Sequence, residues 1–377
     1  MSKTILIVAG ETSGDLHGAN LAIELKRQTP DIRLIGAGGD KMRAAGVELV
    51  SDSTKFASVG FVEAMGNFNK YARLYRKLIS VLRTDKPDLC VLIDFPDFNL
   101  RFGERVRESG IPIVYYISPQ VWAWRKGRIQ QIARMVKKML VIFEFEKRIY
   151  EDAGVDVEFV GHPLMDVLAE PTKFDELKRG ADKKANEITI GILPGSRVKE
   201  VKRLFPLMLE TAGLIKRELP NTQFLVGVAP DINPDLVNRV NSKFPSINAK
   251  LFYNRTYEVM RASDLLLIAS GTATVEAAIL GTPMIVTYKV NQFTGFLGFL
   301  LIKSRDLAMV NIIAGKRIMP EYYQWYAKPE AMAKEAASII QDGRLEDMRR
   351  ELEEVKAKLD SSGASRRAAE VILKLLR

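Results

Sequence analysis

Cysteine, histidine and tryptophan are scarce in this chain, and each shortage excludes a class of site. The 377 residues include one cysteine and two histidines, with three tryptophans. A single thiol, Cys90, excludes an intrachain disulfide and a cysteine-cluster metal site, and it fits a reducing compartment. His17 and His162 are too few for a histidine-rich metal centre.

Long hydrophobic runs are also missing. No stretch approaches the roughly 20 apolar residues that a membrane-spanning helix needs, and the uncharged stretch between Lys289 and Lys303 is too short as well. The apolar run 5–9 near the N-terminus is too short for the core of a signal peptide and has no cleavage site. We therefore expect a cytoplasmic protein that touches a membrane, if at all, only from its surface.

The chain does have enough length for two domains and an excess of positive charge. Its 47% hydrophobic and 27% charged residues are typical of a folded globular protein. A length of 377 residues predicts two domains of roughly 150–200 residues each. Fifty-six Lys and Arg against 46 Asp and Glu give a net charge of +10, which favours an anionic partner such as a nucleotide, a nucleic acid or an acidic lipid surface.

Short apolar runs alternate with charged segments of helical length along the whole chain. The runs Thr4–Ala9, 89–94 and Leu265–Ala269 are typical of buried strands, and a polar segment of helical length follows each. This is the pattern of βαβ units in a parallel sheet. The charged stretch 170–186 divides the pattern, so the sequence predicts two α/β domains, 1–170 and 186–345. Ligands of such sheets bind beyond the carboxyl ends of the strands.

Two motifs follow predicted strands of the first domain. GETSGD at 10–15 combines glycines with small hydroxyl residues, which suits close approach to a ligand, but a plain turn capped by Ser13 or Asp15 explains it equally well. It is not the dinucleotide fingerprint, so hydride chemistry is not supported.

The second motif, IDFPDFN at 93–99, puts carboxylates where one can take a proton from a sugar hydroxyl. The pattern alone favours helix capping by Asp97 or Asn99.

A third motif, SPQVWAWR at 118–125, holds two of the three tryptophans. Aromatic faces beside a guanidinium suit a sugar or an acyl chain, and core packing at the domain surface is a serious alternative. In the second domain, LPGSR at 193–197 and SGTATVE at 270–276 each open a helix after a strand. Backbone amides there can hold phosphates, and Glu276, one turn further on, can accept hydrogen bonds from ribose hydroxyls. Two capped helices are the alternative.

Apolar residues recur at helical spacing between 61 and 83, with Lys and Arg among them. A basic amphipathic helix of this kind can lie on an anionic bilayer, but the pattern alone slightly favours a helix that covers a sheet. The apolar stretch 293–302 suits the core, an acyl-binding wall or a contact in a homodimer.

The motifs together resemble one family, the lipid-A-disaccharide synthases, glycosyltransferases that join two acylated glucosamines. Each motif is weak alone, but six occur in the family's order along nearly the whole chain. They are GETSGD at 10–15, IDFPDFN at 93–99, SPQVWAWR at 118–125, GHP at 161–163, LPGSR at 193–197 and SGTATVE at 270–276.

The resemblance implies a GT-B fold, in which two Rossmann-like domains with parallel sheets face a central cleft. The donor nucleotide is expected on the second domain and the acceptor on the first, with a final helix of about 350–377 packing back on the first. The implied reaction joins UDP-2,3-diacylglucosamine to 2,3-diacylglucosamine 1-phosphate, giving a β-1,6-linked disaccharide 1-phosphate and UDP. It is expected to be inverting and to need neither a metal nor another cofactor.

The resemblance also implies roles for individual residues. Asp97 resembles the family's candidate general base for the acceptor hydroxyl, and Glu11 is a second polar candidate beside the reacting sugars. Arg197 is expected to neutralise the diphosphate leaving group. The residues expected to bind the UDP moiety are Ser196, Arg197, Ser270, Gly271, Thr272, Glu276 and Asn311.

Because the substrates implied by the resemblance are acylated, a membrane surface becomes the favoured interpretation of the basic amphipathic helix between 61 and 83. The resemblance thus implies a peripheral protein on the cytoplasmic face of the inner membrane. The residues expected to face the acceptor, its acyl chains or the membrane are Trp122, Trp124, Arg125, Phe68, Tyr71 and Leu74.

The chain departs from the family pattern around Asn311. Val310 stands where proline is usual, Lys316 where arginine is usual, and Tyr322 and Tyr323 where leucines are common. Lysine keeps the charge of arginine but loses its bidentate geometry. The departure changes the contact expected at residue 316 and leaves the reaction class unchanged.

Two other functions compete with this hypothesis. One is another GT-B enzyme that uses a UDP-sugar, either a muramyl-lipid transferase, whose glycine-rich signature is absent, or a UDP-GlcNAc epimerase, which needs no acceptor. The other is a nucleotide or nucleic-acid binder, suggested by the net charge of +10. No RNA-binding motif is recognisable, so we expect no nucleic-acid partner.

Overall fold

The computed structural model describes residues 3–54, 64–119, 127–177, 187–289 and 307–376, with only the backbone of 64–68. The chain divides into two compact units. The first consists of Met1–Asp166 with Leu359–Arg377, and the second of Val167–Lys358. The first division lies four residues before the predicted limit at 170, and the second lies nine residues after the predicted limit at about 350.

The first unit is built on a seven-stranded parallel sheet with the order β3-β2-β1-β4-β5-β6-β7. Its strands are β1 Thr4–Ala9, β2 Arg33–Gly38, β3 Glu48–Asp52, β4 Leu89–Ile93, β5 Ile113–Tyr116, β6 Lys138–Val141 and β7 Val157–Phe159. Its helices are α1 Thr12–Gln28, α2 Asp40–Ala44, α3 Ala64–Thr84, α4 Pro96–Glu108, α5 Gly127–Met135, α6 Glu144–Glu151 and α7 Leu164–Val167, which ends at the unit boundary.

The second unit is built on a six-stranded parallel sheet with the order β10-β9-β8-β11-β12-β13. Its strands are β8 Ile188–Leu193, β9 Thr222–Val228, β10 Lys250–Tyr253, β11 Leu265–Ala269, β12 Met284–Tyr288 and β13 Glu321–Tyr323. Its helices are α8 Val198–Glu218, α9 Pro234–Asn241, α10 Thr256–Ala262, α11 Thr272–Ile279, α12 Met309–Ala314, α13 Pro329–Gln341 and α14 Leu345–Ala357. Short 3₁₀ turns lie at Pro171–Phe174, Pro245–Ile247 and Gln324–Tyr326.

The central strands are apolar on both faces because helices cover both faces of each sheet. Every residue of β4 and of β11 is buried, which explains their continuous runs LCVLI and LLLIA. Cys90 lies within β4, and burial raises the pKa of its thiol. The two parallel sheets and the helices between their strands confirm the prediction of two α/β units.

Helix α3 covers the first sheet with its apolar side. Leu74 and Leu78 are fully buried in the core, while Lys70, Arg73 and Arg76 are exposed. The prediction that Leu74 faces a membrane is therefore wrong, because a sheet already covers the apolar stripe of this helix. The side chain of Phe68 lies outside the described part of the chain.

The last helix, α15 Ala364–Leu375, belongs to the first unit and packs against α1. The Asp166 carboxylate accepts hydrogen bonds from the backbone N–H groups of Gly363, Ala364 and Ser365, the last at 3.1 Å. It thereby satisfies three of the otherwise unpaired donors at the start of the helix. Helix α14, which the predicted limits group with the C-terminal helix, lies in the second unit and packs against α11 and α12.

In the described parts of the chain, no helix combines the length and the apolarity that crossing a bilayer requires.

Candidate functional site

Each sheet has one point where successive strands begin to be added in the opposite direction. In the first unit this switch point lies between β1 and β4, and in the second between β8 and β11. GETSGD follows β1 and IDFPDFN begins at the end of β4, while LPGSR and SGTATVE follow β8 and β11. Open parallel sheets bind ligands at the carboxyl ends of the strands at such a point. Four of the six motifs thus lie at the two expected ligand sites.

The GETSGD turn is shaped by packing as well as by its own sequence. A Cβ atom at position 10 would overlap the ring of Phe95, so only glycine fits there. Asp15 is buried and accepts hydrogen bonds from the backbone N–H groups of Gly39, Met42 and Lys41 at 2.6, 3.0 and 3.1 Å. Its carboxylate therefore holds the start of α2. Asp15 itself lies within α1, whose N-cap residue, Glu11, makes no capping hydrogen bond with its side chain.

Asp94 lies just beyond β4 with a left-handed backbone, at φ 43°. Its carbonyl oxygen accepts hydrogen bonds from the Tyr115 hydroxyl at 2.6 Å and from Asn99 Nδ2 at 2.8 Å, which fixes this strained turn. Burial raises the pKa of the Asp94 carboxyl group to about 7, and the nearby Glu11 carboxylate adds to the rise. A carboxyl group whose pKa is raised in this way is suited to accept a proton near neutral pH.

Asp97 lies in the first turn of α4 and has a different environment. Its side chain is 78% exposed and forms an ion pair with Arg128. The resemblance suggests Asp97 as the base, whereas the raised pKa belongs to Asp94, the other carboxylate of the same motif. Two carboxylates three residues apart at a strand end were visible in the sequence, whereas their burial and their partners were not.

An aromatic ladder borders these carboxylates. Tyr71 of α3 stacks on Phe95 at 6.1 Å between ring centroids, and Phe95 stacks on Phe98 at 5.2 Å. Burial raises the pKa of the Tyr71 hydroxyl, and the Glu11 and Asp97 carboxylates raise it further. The half-buried ring of Tyr71 thus lies beside the carboxylates. The predicted contacts of Trp122, Trp124 and Arg125, like the stretch 293–302, fall outside the described residues.

The LPGSR turn of the second unit presents an arginine at the start of α8. Gly195 has φ 111°, and a Cβ atom there would lie 2.7 Å from Glu200 Oε2. Ser196 and Arg197 are exposed, and Arg197 Nη1 lies 3.3 Å from Glu200 Oε1. The N-cap residue of α8, Arg197, makes no capping hydrogen bond with its side chain, so its guanidinium and the first N–H groups of the helix place positive charge at this turn.

The SGTATVE turn supplies a second helix start on the neighbouring strand. Gly271 has φ 151°, which only glycine adopts readily, and the space where a Cβ would lie is open. Thr272 is exposed and Ser270 partly exposed. Glu276 follows in α11, where burial raises the pKa of its carboxyl group and a hydrogen bond from the Tyr257 hydroxyl at 3.0 Å lowers it.

Asn311 is held in a way that the sequence did not suggest. Its side chain is fully buried; Nδ2 donates to the carbonyl of Met319 and to Glu321 Oε1, and Oδ1 accepts from the N–H groups of Ile318 and Met319. This geometry gives no support to the prediction that Asn311 contacts the nucleotide, because its polar atoms are engaged within the protein. Lys316, the departure from the family's arginine, pairs with Glu351 at 3.2 Å.

The two histidines are buried and neutral. Burial lowers the pKa of His17 to about 4 and that of His162 to about 3. His162 Nδ1 accepts a hydrogen bond from the N–H of Leu164 at 3.2 Å, so the GHP motif fixes its own turn. Among the residues that the structure describes, no three His, Cys, Asp or Glu side chains are grouped to hold a metal ion.

Comparison with known proteins identifies the family. The model of the lipid-A-disaccharide synthetase family matches residues 5–375. The chain belongs to this family. The lipid-A-disaccharide synthase of Syntrophus aciditrophicus (strain SB) is 41% identical over 377 residues, covering 100% of this chain and 98% of the relative. That of Nitrosococcus oceani is 42% identical over 376 residues, with 99% and 96% covered. The sequence resemblance to a glycosyltransferase family is thereby confirmed.

Solved structures of low sequence identity share the fold. A UDP-GlcNAc 2-epimerase from Neisseria meningitidis, bound to UDP-GlcNAc, has a TM-score of 0.68 at 14% identity and covers 98% of this chain and 100% of its own. The calicheamicin glycosyltransferase CalG4 has a TM-score of 0.62 at 14% identity, with 100% and 98% covered. These neighbours confirm the predicted GT-B class of fold, and at such identity they show the fold alone.

Proposed function

We propose that this protein transfers 2,3-diacylglucosamine from UDP to the 6-hydroxyl of 2,3-diacylglucosamine 1-phosphate, producing the β-1,6-linked disaccharide 1-phosphate and UDP. Family membership over residues 5–375 is the observation that carries the proposal. The two sites support it, because the first unit offers carboxylates for an acceptor hydroxyl and the second offers positive charge for a diphosphate. The first unit thus binds the acceptor, and the second binds the donor.

The second unit stabilises the leaving group in this proposal. Arg197 and the exposed helix starts after β8 and β11 bind the diphosphate, whose negative charge grows as the glycosidic bond breaks. Ser196, Ser270, Gly271 and Thr272 lie at the same two turns and hold the phosphate oxygens. Glu276 accepts hydrogen bonds from the ribose. The arginine and the helix starts supply the positive charge that a metal ion supplies in other transferases.

The first unit activates the acceptor. The Asp94 carboxylate removes the proton from the 6-hydroxyl as its oxygen attacks the anomeric carbon from the side opposite UDP, which inverts the configuration. Glu11, close enough to raise the pKa of Asp94, keeps the carboxyl group basic. Asp97 and Arg128 form a charged pair beside the same turn and orient the acceptor.

Release of UDP in mild detergent tests the proposal directly. We expect UDP only when both acylated substrates are present. A parallel reaction receives UDP-GlcNAc alone and is analysed for UDP-ManNAc, because the fold is shared with an epimerase. Epimerisation without UDP release would assign the chain to the epimerase class. UDP binding without turnover of the acylated pair would refute the proposed substrates.

We assign the membrane-binding surface to the exposed basic side of α3, because the first unit binds the acylated acceptor in this proposal. Lys70 and Arg73 are exposed, and a cation near an anionic bilayer contributes about 1 kcal/mol. We expect the double variant Lys70→Glu, Arg73→Glu to bind anionic vesicles at least about tenfold more weakly than the unchanged protein. Flotation with anionic and neutral vesicles measures this.

The double variant Lys243→Glu, Lys250→Glu is the matched control, since it makes the same change of charge at exposed positions of the second unit. If the two double variants lose the same affinity, the effect comes from net charge and α3 is not the membrane surface.

A further inference from the structure

The Glu276 carboxylate is held by a tyrosine from the neighbouring helix. The Tyr257 hydroxyl, on α10, donates to Glu276 Oε1 at 3.0 Å. Tyr257 is largely buried, and burial raises the pKa of its hydroxyl well above the usual value, so the group remains a donor. The second carboxylate oxygen, Oε2, is then left to accept hydrogen bonds from another group.

Tyr257 is itself fixed by the segment that begins the second unit. The ring of Phe174 meets the ring of Tyr257 edge to face, with centroids 5.0 Å apart. Asp175, the next residue, accepts two hydrogen bonds from Arg261 of α10, from Nε at 2.8 Å and from Nη2 at 3.2 Å. Helix α10 is therefore fastened on the side from which Tyr257 projects.

The same arginine connects this brace to the helix of Glu276. Arg261 Nη1 donates to the carbonyl of Leu280, the residue that directly follows α11. The Thr282 hydroxyl donates to the carbonyl of Met260 at 3.0 Å, which ties the turn after α11 to α10. Both ends of the Tyr257–Glu276 hydrogen bond thus belong to helices that are locked to each other, and this leaves the carboxylate little freedom to rotate.

We propose that Tyr257 is a positioning residue for the nucleotide: its hydroxyl fixes Glu276 Oε1 so that Oε2 faces the ribose hydroxyls. The inference rests on the proposed function, in which Glu276 contacts the ribose. A carboxylate that is already oriented loses less conformational freedom when the nucleotide binds, and this raises the affinity for ribose without a contact between Tyr257 and the ligand.

Binding of UDP and of 2′-deoxy-UDP separates this role from a structural one. A hydrogen bond to a charged group contributes a net free energy that corresponds to about a tenfold change in affinity. We therefore expect the unchanged protein to bind UDP about tenfold more tightly than 2′-deoxy-UDP. In Tyr257→Phe, which keeps the ring against Phe174, we expect UDP to bind about three- to tenfold more weakly and 2′-deoxy-UDP to change less than about twofold. In turnover, KM for the donor rises and kcat stays within about twofold.

Tyr253→Phe is the control, because Tyr253 belongs to the same unit and its hydroxyl lies 2.9 Å from Asn238 Oδ1. We expect it to leave both affinities unchanged. Glu276→Gln tests the ribose contact itself and is expected to abolish most of the preference for UDP.

The outcomes are distinguishable. If Tyr257→Phe weakens the two nucleotides equally, or neither of them, while the unchanged protein prefers UDP, the positioning role is refuted and the ribose contact stands. If the unchanged protein binds both nucleotides equally and Glu276→Gln has no effect, the ribose contact falls and the role of Tyr257 falls with it.

Discussion

Replacing Asp94 with asparagine is expected to lower kcat by about 10³-fold, because removal of a general base costs between about 10² and 10⁴. Asparagine suits this test, since it tolerates the left-handed backbone that Asp94 adopts and has nearly the same shape. The affinity for UDP is expected to remain, because the nucleotide binds to the second unit. Initial rates of UDP release and a separate UDP titration measure the two quantities.

The pH profile gives the same prediction a second readout. A base must be ionised to accept a proton, so the rate of the unchanged enzyme is expected to rise with pH through about 7, where the carboxyl group of Asp94 titrates. This rising limb is absent from the residual activity of Asp94→Asn. A variant that keeps the limb at the same pH would show that another group is the base.

Stability is expected to change in the opposite direction to activity. The folded-state pKa of Asp94, about 7, lies above its ordinary value, so the folded protein loses stability as pH rises from about 4 to 7 and does not regain it above 7. Asparagine has no carboxylate that must ionise when buried, so Asp94→Asn is expected to unfold at a higher temperature than the unchanged protein at pH 8.

Asp97→Asn is the control for the loss of kcat. It changes the exposed carboxylate of the same motif, which pairs with Arg128, and is expected to lower kcat far less than Asp94→Asn does.

Removal of Arg197 is the second large effect. Arg197→Ala is expected to lower kcat/KM by about 10²–10³-fold, the loss found when one group that stabilises transition-state charge is removed. Arg197→Lys is expected to recover part of this, because lysine restores the charge without the paired donors of a guanidinium. Rates of UDP release at low donor concentration measure both variants.

Arg203→Ala is the matched control, because it removes an exposed arginine from the same helix away from the turn. It is expected to retain nearly full activity. If Arg197→Ala and Arg203→Ala lower kcat/KM equally, the effect comes from the overall positive charge of α8, and a specific contact between Arg197 and the diphosphate is refuted.

The positions of the strands and of the motifs along the chain could be predicted from the sequence because they depend on local patterns. Apolar runs such as 89–94 end at turn residues, and the chemistry of a parallel sheet collects at those ends. A switch point follows from strand order, which is a property of the fold family, so the resemblance supplied what periodicity alone did not.

Burial and pairing were harder to predict because they depend on residues distant in sequence. Asp94 and Asp97 look alike in the motif, but Asp94 is partly buried near Glu11, whereas Asp97 is exposed and paired with Arg128, which lies 31 residues further along. Leu74 shows the same limit, since a helical stripe reveals an apolar face and does not reveal whether a sheet or a membrane covers it. Asn311 is an asparagine whose partners, Met319 and Glu321, become neighbours only on folding.

The cap that Asp166 places on the last helix has a consequence for how the chain is completed during synthesis. The second unit is one continuous stretch, Val167–Lys358, whereas the first needs the final segment, Leu359–Arg377, to cover α1. Domains generally fold as their residues leave the ribosome. The first unit begins synthesis before the second, but its fold is completed after that of the second. Until residues 363–365 have been synthesised, the Asp166 carboxylate lacks these three backbone donors, and the side of α1 that contacts α15 is exposed to water.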